Sequence, residues 1–390
     1  MKYQICAKCI IDTTVPRAMF DEKGICNYCK IHDLLESQFP LNDKGEKKFN
    51  KILYGIKAQG ENKKYDCVVG LSGGRDSTYA LYKAKQLGLR PLAVHFNDGF
   101  GNPVAGENMK KCVEKLNVDM QTITSDWRES KDIKIAFLKA STPDLEEGTD
   151  LGIAAALYSV AVKENIKYII IGQSFRTEGI FPLEWVYLDG KYLKSVHNKF
   201  GTVKLGKWRS GNAGFNLNVR HVFYYTIIKK IKTIPIYYYM HYDRKEADNL
   251  LVNELGWVNT GSHHYDDLYQ SLLTYICRVK FGIDRRKINY SALVRSGQMT
   301  REESLGRVKE IYGIEDPKII NLCIKRLGIT RGDLDGYLAI PPKTFMDYPS
   351  HYQIIKMMRV PIKLLSLMNI LPGMTYLKYF GFNRALTLKQ

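Results

Sequence analysis

Six residues, Ser72-Gly73-Gly74-Arg75-Asp76-Ser77, follow directly on the apolar run Cys67-Val68-Val69-Gly70-Leu71. An apolar strand that meets a Ser/Gly-rich turn and then a helix builds a cradle for an anion. Backbone N–H groups point inward, the glycines lack the Cβ atoms that would block close approach, and the helix N-terminus adds partial positive charge. The spelling is not the Walker phosphate loop, because no Gly-Lys-Ser/Thr follows. Two C-x2-C pairs, Cys6-Ala7-Lys8-Cys9 and Cys26-Asn27-Tyr28-Cys29, stand sixteen residues apart. That spacing predicts a closed four-thiolate zinc site on Cys6, Cys9, Cys26 and Cys29, structural because no position is left for a substrate. An iron–sulfur cluster is the competing metal, and disulfides are disfavoured in a reducing compartment. A ribbon this short is expected to bury no core of its own, so the metal would supply much of its folding energy.

The elements that must position these groups alternate. Strand 66–71 leads to helix 77–87, strand 91–96 to helix 104–116, and strand 120–124 is followed by an Ala-rich helix over 151–165 and strand 168–171. Such alternation predicts an α/β fold, a parallel sheet with helices on both faces. Ligands in these sheets sit beyond the carboxyl ends of the strands. Three loops, 72–77, 95–99 and 172–178, are placed on that edge. His95, Asp98, Gly172 and Gln173 are therefore candidates to line a nucleotide pocket, Asp76 and Asp98 to meet magnesium, and Glu178 to face the substrate.

Further on, Gly261-Ser262-His263-His264-Tyr265-Asp266-Asp267 offers a metal site, a substrate contact or a plain loop, and Arg285-Arg286 a bidentate clamp for phosphate or carboxylate. From Asn289 the pattern stays helical. Three segments result: a zinc ribbon over 1–40, a nucleotide-handling domain over 55–285 and a helical C-terminal region over 286–390.

The net charge is +18 over 390 residues, unevenly placed. Residues 190–242 carry ten Lys or Arg and no acidic residue, and residues 349–390 carry six basic and no acidic ones. Such fields attract polyanions or phosphorylated metabolites. The tail over 354–379 reads as a packed element or as a peripheral membrane-surface or partner-binding segment. Neither a signal peptide nor an apolar run of membrane-spanning length is present, so a cytoplasmic location is expected. Cys67, Cys112, Cys277 and Cys323 are scattered and are read as buried hydrophobes.

The Ser72–Ser77 spelling resembles the SGGxDS loop of the PP-loop ATP pyrophosphatases. Together with the cysteine pairs, Gly172–Gly179, the stretch from Gly256-Trp257 to Tyr265 and Phe281–Glu303, it resembles more narrowly the N-acetyl sugar amidotransferases of surface-polysaccharide and sialic-acid-like sugar biosynthesis, from Cys6 to about Glu303. The match is imperfect at Asn97-Asp98-Gly99, where related enzymes often read Asp-Asn-Gly. The resemblance implies conversion of a sugar acetamido group to an acetamidino group, with ATP, Mg2+ and ammonia. Ser72, Gly73, Gly74, Arg75 and Ser77 would hold pyrophosphate, Asp76 would order the loop or magnesium, and Asp76, Ser77 and Glu178 would be the catalytic set. The basic stretch Lys191–Lys232 would suit a nucleotide-linked or acidic N-acetyl sugar. None of the eight cysteines has the setting of a glutaminase nucleophile, so a separate glutaminase subunit is expected to supply ammonia. A PP-loop tRNA-modifying enzyme (base thiolation or amination) is the alternative, since basic charge and 26 tyrosines also suit RNA, though nucleic acid is the less expected partner. A non-catalytic nucleotide-binding module is the third reading.

Overall fold

The computed structural model describes residues 2–209, 214–259, 266–368, 371 and 373–382. The cysteine segment leads into α1 (Asn27–Gln38) and α2 (Asp43–Gly60). The alternation follows: β1 (Cys67–Gly70), α3 (Arg75–Gln86), β2 (Pro91–Asn97), α4 (Pro103–Leu116), β3 (Met120–Thr124), α5 (Trp127–Ala140), α6 (Glu147–Lys163) and β4 (Tyr168–Ile171). After α7 (Gly190–Phe200) and α8 (Val219–Phe223) comes β5 (Lys232–Pro235). The remainder is helical: α9 (Arg244–Leu255), α10 (Tyr269–Phe281), α11 (Arg286–Arg295), α12 (Arg301–Arg307), α13 (Pro317–Leu327) and α14 (Arg331–Ala339), then the tail helices α15 (Tyr352–Met357), α16 (Arg359–Leu367) and α17 (Gly373–Phe380).

The five strands form one parallel sheet in the order β3-β2-β1-β4-β5. Val69 of β1 sits between Ala93 of β2 and Ile170 of β4, and all three are almost fully buried, as strands covered on both faces require. The chain winds outward from β1 to β3, then returns through α5 and α6 to lay β4 on the opposite side of β1. The carboxyl ends of β1 and β4 therefore flank the point where the winding reverses, the place where such sheets open a crevice.

The sequence predicts four of these strands. It misses β5, whose Lys-Thr-Ile-Pro carries too little apolar pattern, and the lysine-interrupted α5. It also starts α6 late, at Leu151, because the first turn, Glu147-Gly148-Thr149-Asp150, is polar. The first three residues of that turn are buried, and it becomes part of the site below.

The ribbon has no core of its own, as expected, but it shares that of the sheet. Ile11, Val15, Tyr28, Ile31 and Leu35 are at most 2% exposed and belong to the same apolar cluster that runs through the sheet to Phe382. Arg301 donates to the carbonyl oxygens of Cys6 and Cys9 (3.0 and 3.1 Å), and Lys287 pairs with Asp12 at 2.6 Å. The cysteine segment is thus packed on α11 and α12.

Candidate active site and metal centre

Gly74 caps α3, and Arg75-Asp76-Ser77 form its first turn. Two glycines are required here. A Cβ on Gly73 (φ +82°) would lie 2.1 Å from the Ala105 carbonyl oxygen, and one on Gly172 would lie 2.4 Å from that of Asp76. The Ser72 and Ser77 hydroxyls are 2.9 Å apart, and the Ser72 N–H donates to Ser77 Oγ at 3.1 Å. Distant residues hold this turn from behind. Trp257 Nε1 donates to the Gly73 carbonyl at 2.9 Å and Asn108 Nδ2 to the same oxygen at 3.3 Å. The Tyr237 hydroxyl donates to the Asp76 carbonyl at 2.6 Å, and the Tyr242 hydroxyl to Asp76 Oδ1. Arg75 forks onto Asp248, Nη2 to Oδ2 at 2.8 Å.

The loop is one wall of a cavity of about 500 Å3 at the carboxyl ends of β1, β2 and β4. The three loops expected there meet in it: Ser72, Gly74, Arg75, Asp76 and Ser77 from the first, His95 and Asp98 from the second, Gly172, Gln173 and Glu178 from the third. Gly73 stands behind the wall, its carbonyl held as described. The space suits a nucleotide-sized ligand.

Burial shapes the charges. Glu178 accepts the Ser174 N–H at 3.1 Å, and burial, with Asp76 nearby, pushes its carboxyl up to about 8. Burial lowers His95, so its ring is neutral at pH 7, with Nδ1 3.0 Å from the Leu71 carbonyl. Asp98 is different. Burial pushes its carboxyl up, but Lys134 (2.9 Å) and Thr149 (2.7 Å) on Oδ2, with the Phe100 N–H on Oδ1 (3.0 Å), draw it below the usual carboxylate range. Both oxygens are engaged, Oδ2 by a cation and a hydroxyl and Oδ1 by a single N–H.

A second cavity, about 610 Å3, lies on the other side of Arg75 against α9, α11 and α12. Arg244, Lys245, Arg307, Tyr290 and Tyr312 line it, together with Gln298, Met299 and Glu303.

The four cysteine sulfurs lie within 4.8 Å of one another and are fully buried. Cys6–Cys29, Cys9–Cys26, Cys26–Cys29 and Cys9–Cys29 are 3.8, 3.7, 3.6 and 3.5 Å apart. Sulfurs at 2.3 Å from one tetrahedral ion would be about 3.8 Å apart. The set therefore fits a single ion, whereas a cluster that puts each thiolate on a different iron would hold them farther apart. N–H groups of Lys8, Cys9 and Cys26 point at Cys6 Sγ, and the half-buried Arg295 approaches Cys9 Sγ at 3.6 Å, which offsets thiolate charge.

Several expectations are corrected. None of the described residues of the basic stretch Lys191–Lys232 borders either cavity; α7 packs on α5, and His197 binds Asp132 at 2.8 Å. Arg286 is no phosphate clamp: it pairs with Asp284 and donates to the carbonyls of Arg307, at the end of α12, and of Val308 and Glu310 beyond it. The pair His263-His264 lies outside the described residues. Asp266 and Asp267 line the first cavity, brought there by pairing of 266–268 with 100–102. The tail packs with one side only. Ile362 is buried, while Met357, Val360, Leu364 and Leu367, at helical spacing, are 55–78% exposed. Among the described residues no helix is long and apolar enough to cross a membrane.

Sequence reasoning missed Tyr237, Tyr242, Asp248, Lys134, Thr149 and Glu146. Only the density of tyrosines in Tyr237-Tyr238-Tyr239-Met240-His241-Tyr242 hinted at the first two.

Residues 262–360 match the family model described as LPS biosynthesis protein WbpG-like, C-terminal domain. The chain is 29% identical over 127 residues to the uncharacterized protein MJ1599 of Methanocaldococcus jannaschii, an alignment spanning 32% of this chain and 44% of that protein. Among solved structures it is similar to NMN synthetase from Francisella tularensis (13% identity, 73% of this chain and 97% of that chain, TM-score 0.33). It is also similar to the U34-tRNA thiolase NcsA of Methanococcus maripaludis, solved with its 4Fe–4S cluster (15% identity, 85% and 100%, TM-score 0.28). At these scores neither likeness bears on the reaction.

Proposed function

We propose that this chain is an ATP-dependent, AMP- and pyrophosphate-forming N-acetyl sugar amidotransferase of surface-polysaccharide (LPS O-antigen) or sialic-acid-like sugar biosynthesis, acting in the cytoplasm. The observation that carries the reading is the Ser72–Ser77 cradle opening into a nucleotide-sized cavity at the reversal of the sheet. The match of residues 262–360 to an LPS-biosynthesis domain supports the choice of acceptor.

An amide carbonyl is a poor electrophile, so its oxygen must first become part of a leaving group. Adenylation achieves this with loss of pyrophosphate; ammonia then attacks the activated carbon and AMP departs. The Ser72 and Ser77 hydroxyls and the backbone N–H groups at the start of α3 would hold pyrophosphate. Asp76, bonded by Tyr242, orders the loop. Glu178 stays protonated at neutral pH and so adds no negative charge beside a triphosphate. Magnesium, when bound, would offset phosphate charge, with Asp76 and Asp266 flanking the loop to meet it. The second cavity would seat the acceptor, its phosphate or carboxylate against Arg244, Lys245 and Arg307 in place of the Lys191–Lys232 stretch. Zinc is our assignment for the cysteine centre, since four thiolates leave no open position. No described cysteine lines the first cavity, which weighs against thiolation and leaves ammonia to a separate glutaminase.

The same reading places α16 on an anionic membrane surface: its exposed apolar stripe is flanked by Lys356, Arg359 and Lys363, and no acidic residue follows Asp347.

The test is AMP formation from ATP and ammonium with nucleotide-linked N-acetylhexosamines as acceptors. Acceptor-dependent AMP with an acetamidino product is expected. AMP formation that depends on tRNA, with none from the sugars, would overturn the reading.

A further inference from the structure

Two of the residues that hold the glycine loop come from the segment between β5 and α9. Tyr237 and Tyr242 stack face to face, with ring centroids 3.9 Å apart and planes 10° from parallel. Both are almost fully buried, and both hydroxyls end on Asp76, one on its backbone carbonyl and one on its carboxylate. Where the Tyr242 backbone lies therefore sets where the Asp76 side chain is held.

A residue of the turn between α11 and α12 fixes that backbone. Gln298 Nε2 donates to the Tyr242 carbonyl at 2.8 Å, and Gln298 Oε1 accepts the Arg244 N–H at 3.3 Å. One carboxamide thus bonds the carbonyl of residue 242 and the N–H of residue 244, the two groups that a residue of a parallel strand would bond. Few side chains can replace it. An ionised glutamate has no donor for the carbonyl, leucine has neither group, and asparagine is one methylene shorter. The turn is itself anchored. Ser296 Oγ donates to the carbonyl of Arg176, two residues before Glu178, at 2.7 Å, and Arg301 donates to the carbonyls of Cys6 and Cys9. Arg244 adds a bond from Nη2 to the Thr177 carbonyl at 2.9 Å. The half-buried Gln298 lines the second cavity, whereas Asp76 lines the first.

We propose that Gln298 is a positioning residue for the nucleotide site: through the backbone of Tyr242 it fixes where that hydroxyl meets Asp76, and so sets the affinity of the glycine loop for ATP. The inference rests on the nucleotide reading of that loop. Gln298 does not border the first cavity, so it acts on ATP only through the backbone it holds.

The experiment is equilibrium binding of ATP, with magnesium chloride, to the full chain for a double-mutant cycle of Gln298→Leu and Tyr242→Phe. No sugar acceptor is added, so contacts in the second cavity do not enter the readout. Gln298→Leu should weaken ATP binding about fivefold, the net effect of one hydrogen bond. Tyr242→Phe removes a bond to a carboxylate and should weaken it about tenfold. The double variant should bind as Tyr242→Phe does, not with the roughly fiftyfold loss that independent residues would give. A merely structural role would lower the melting temperature and leave that coupling at zero. Should Gln298→Leu fold poorly, Gln298→Glu keeps the size and the acceptor for the Arg244 N–H, and at pH 7 it should weaken ATP binding as leucine does. Unchanged ATP affinity in a well-folded Gln298 variant, or multiplied losses in the double variant, would overturn the inference and leave the nucleotide reading standing. A wild-type chain that does not bind ATP would overturn both.

Discussion

The cysteine centre and the glycine loop are both built around negative charge, the first that of four thiolates and the second, on our proposal, that of a bound phosphate. The centre draws all its sulfurs from residues 6–29 and closes on itself, with Arg295 and Arg301 bracing it from outside. The loop draws its backbone from six residues but is held by Asn108, Tyr237, Tyr242 and Trp257, which are 35 to 184 residues away from their partners in it. A site that must stay open for a ligand cannot use that ligand to fix its shape. Its support therefore comes from elsewhere in the fold, whereas a site filled by its own ion is shaped by that ion.

Breaking the closed centre should have the largest effect. Cys26→Ser should lose the metal and lower stability on the order of 4–5 kcal/mol. Because the segment shares the main apolar cluster, melting should stay a single transition, and elemental analysis of the wild-type chain should find about one zinc. Iron with visible absorption, or early unfolding of the N-terminal segment alone, would contradict the fit to one ion in a docked segment. Asp76→Ala strikes the open site and should do the reverse: stability nearly kept, AMP and pyrophosphate release down about 10²–10³-fold. Ample ATP turnover in a well-folded variant would remove Asp76 from the site.

Next comes the surface helix. Leu364→Ser with Leu367→Ser should cost about 2 kcal/mol of partitioning to anionic vesicles, roughly thirtyfold, and leave ATP turnover alone. Trp257→Phe tests the remote support itself. Losing the donor to the Gly73 carbonyl should weaken ATP binding by about 1 kcal/mol, a factor of roughly five, seen as a raised KM with little change in kcat. An unchanged KM would mean that the loop holds its own shape, as the cysteine centre does.

The smallest effect concerns pH. In the folded chain Glu178 holds its proton up to about 8, against an ordinary value of 4.5, so the folded state keeps a proton that the unfolded chain releases. That contribution is full below the unfolded value and is lost as pH rises through the folded one. Glu178→Gln should therefore show a shallower fall in melting temperature between about pH 5 and 8 than the wild-type chain. Parallel curves would place Glu178 in a wetter setting than its burial implies.

The sequence by itself determined what depends on neighbours along the chain. The two C-x2-C pairs specify a four-thiolate set, the Ser72–Ser77 spelling after an apolar run specifies a strand–turn–helix, and four of the five strands follow from apolar runs bounded by turn residues. It determined which three loops share an edge, because parallel alternation puts every strand's carboxyl end on one side. The tertiary structure decided which side chains face one another there. Asp98 became the partner of Lys134 and Thr149, since α5 and α6 bring a buried ammonium and hydroxyl to it, and burial of both charges demands pairing. The basic stretch was turned away from the site, because α7 must bury its apolar face on α5. Glu146 and Gln270, neither part of any motif, came to line the first cavity because α6 and α10 meet there. Contacts between distant segments carry no periodic signal, and burial, which sets the charge of Glu178 and the pairing of Asp98, exists only once the chain has closed around them.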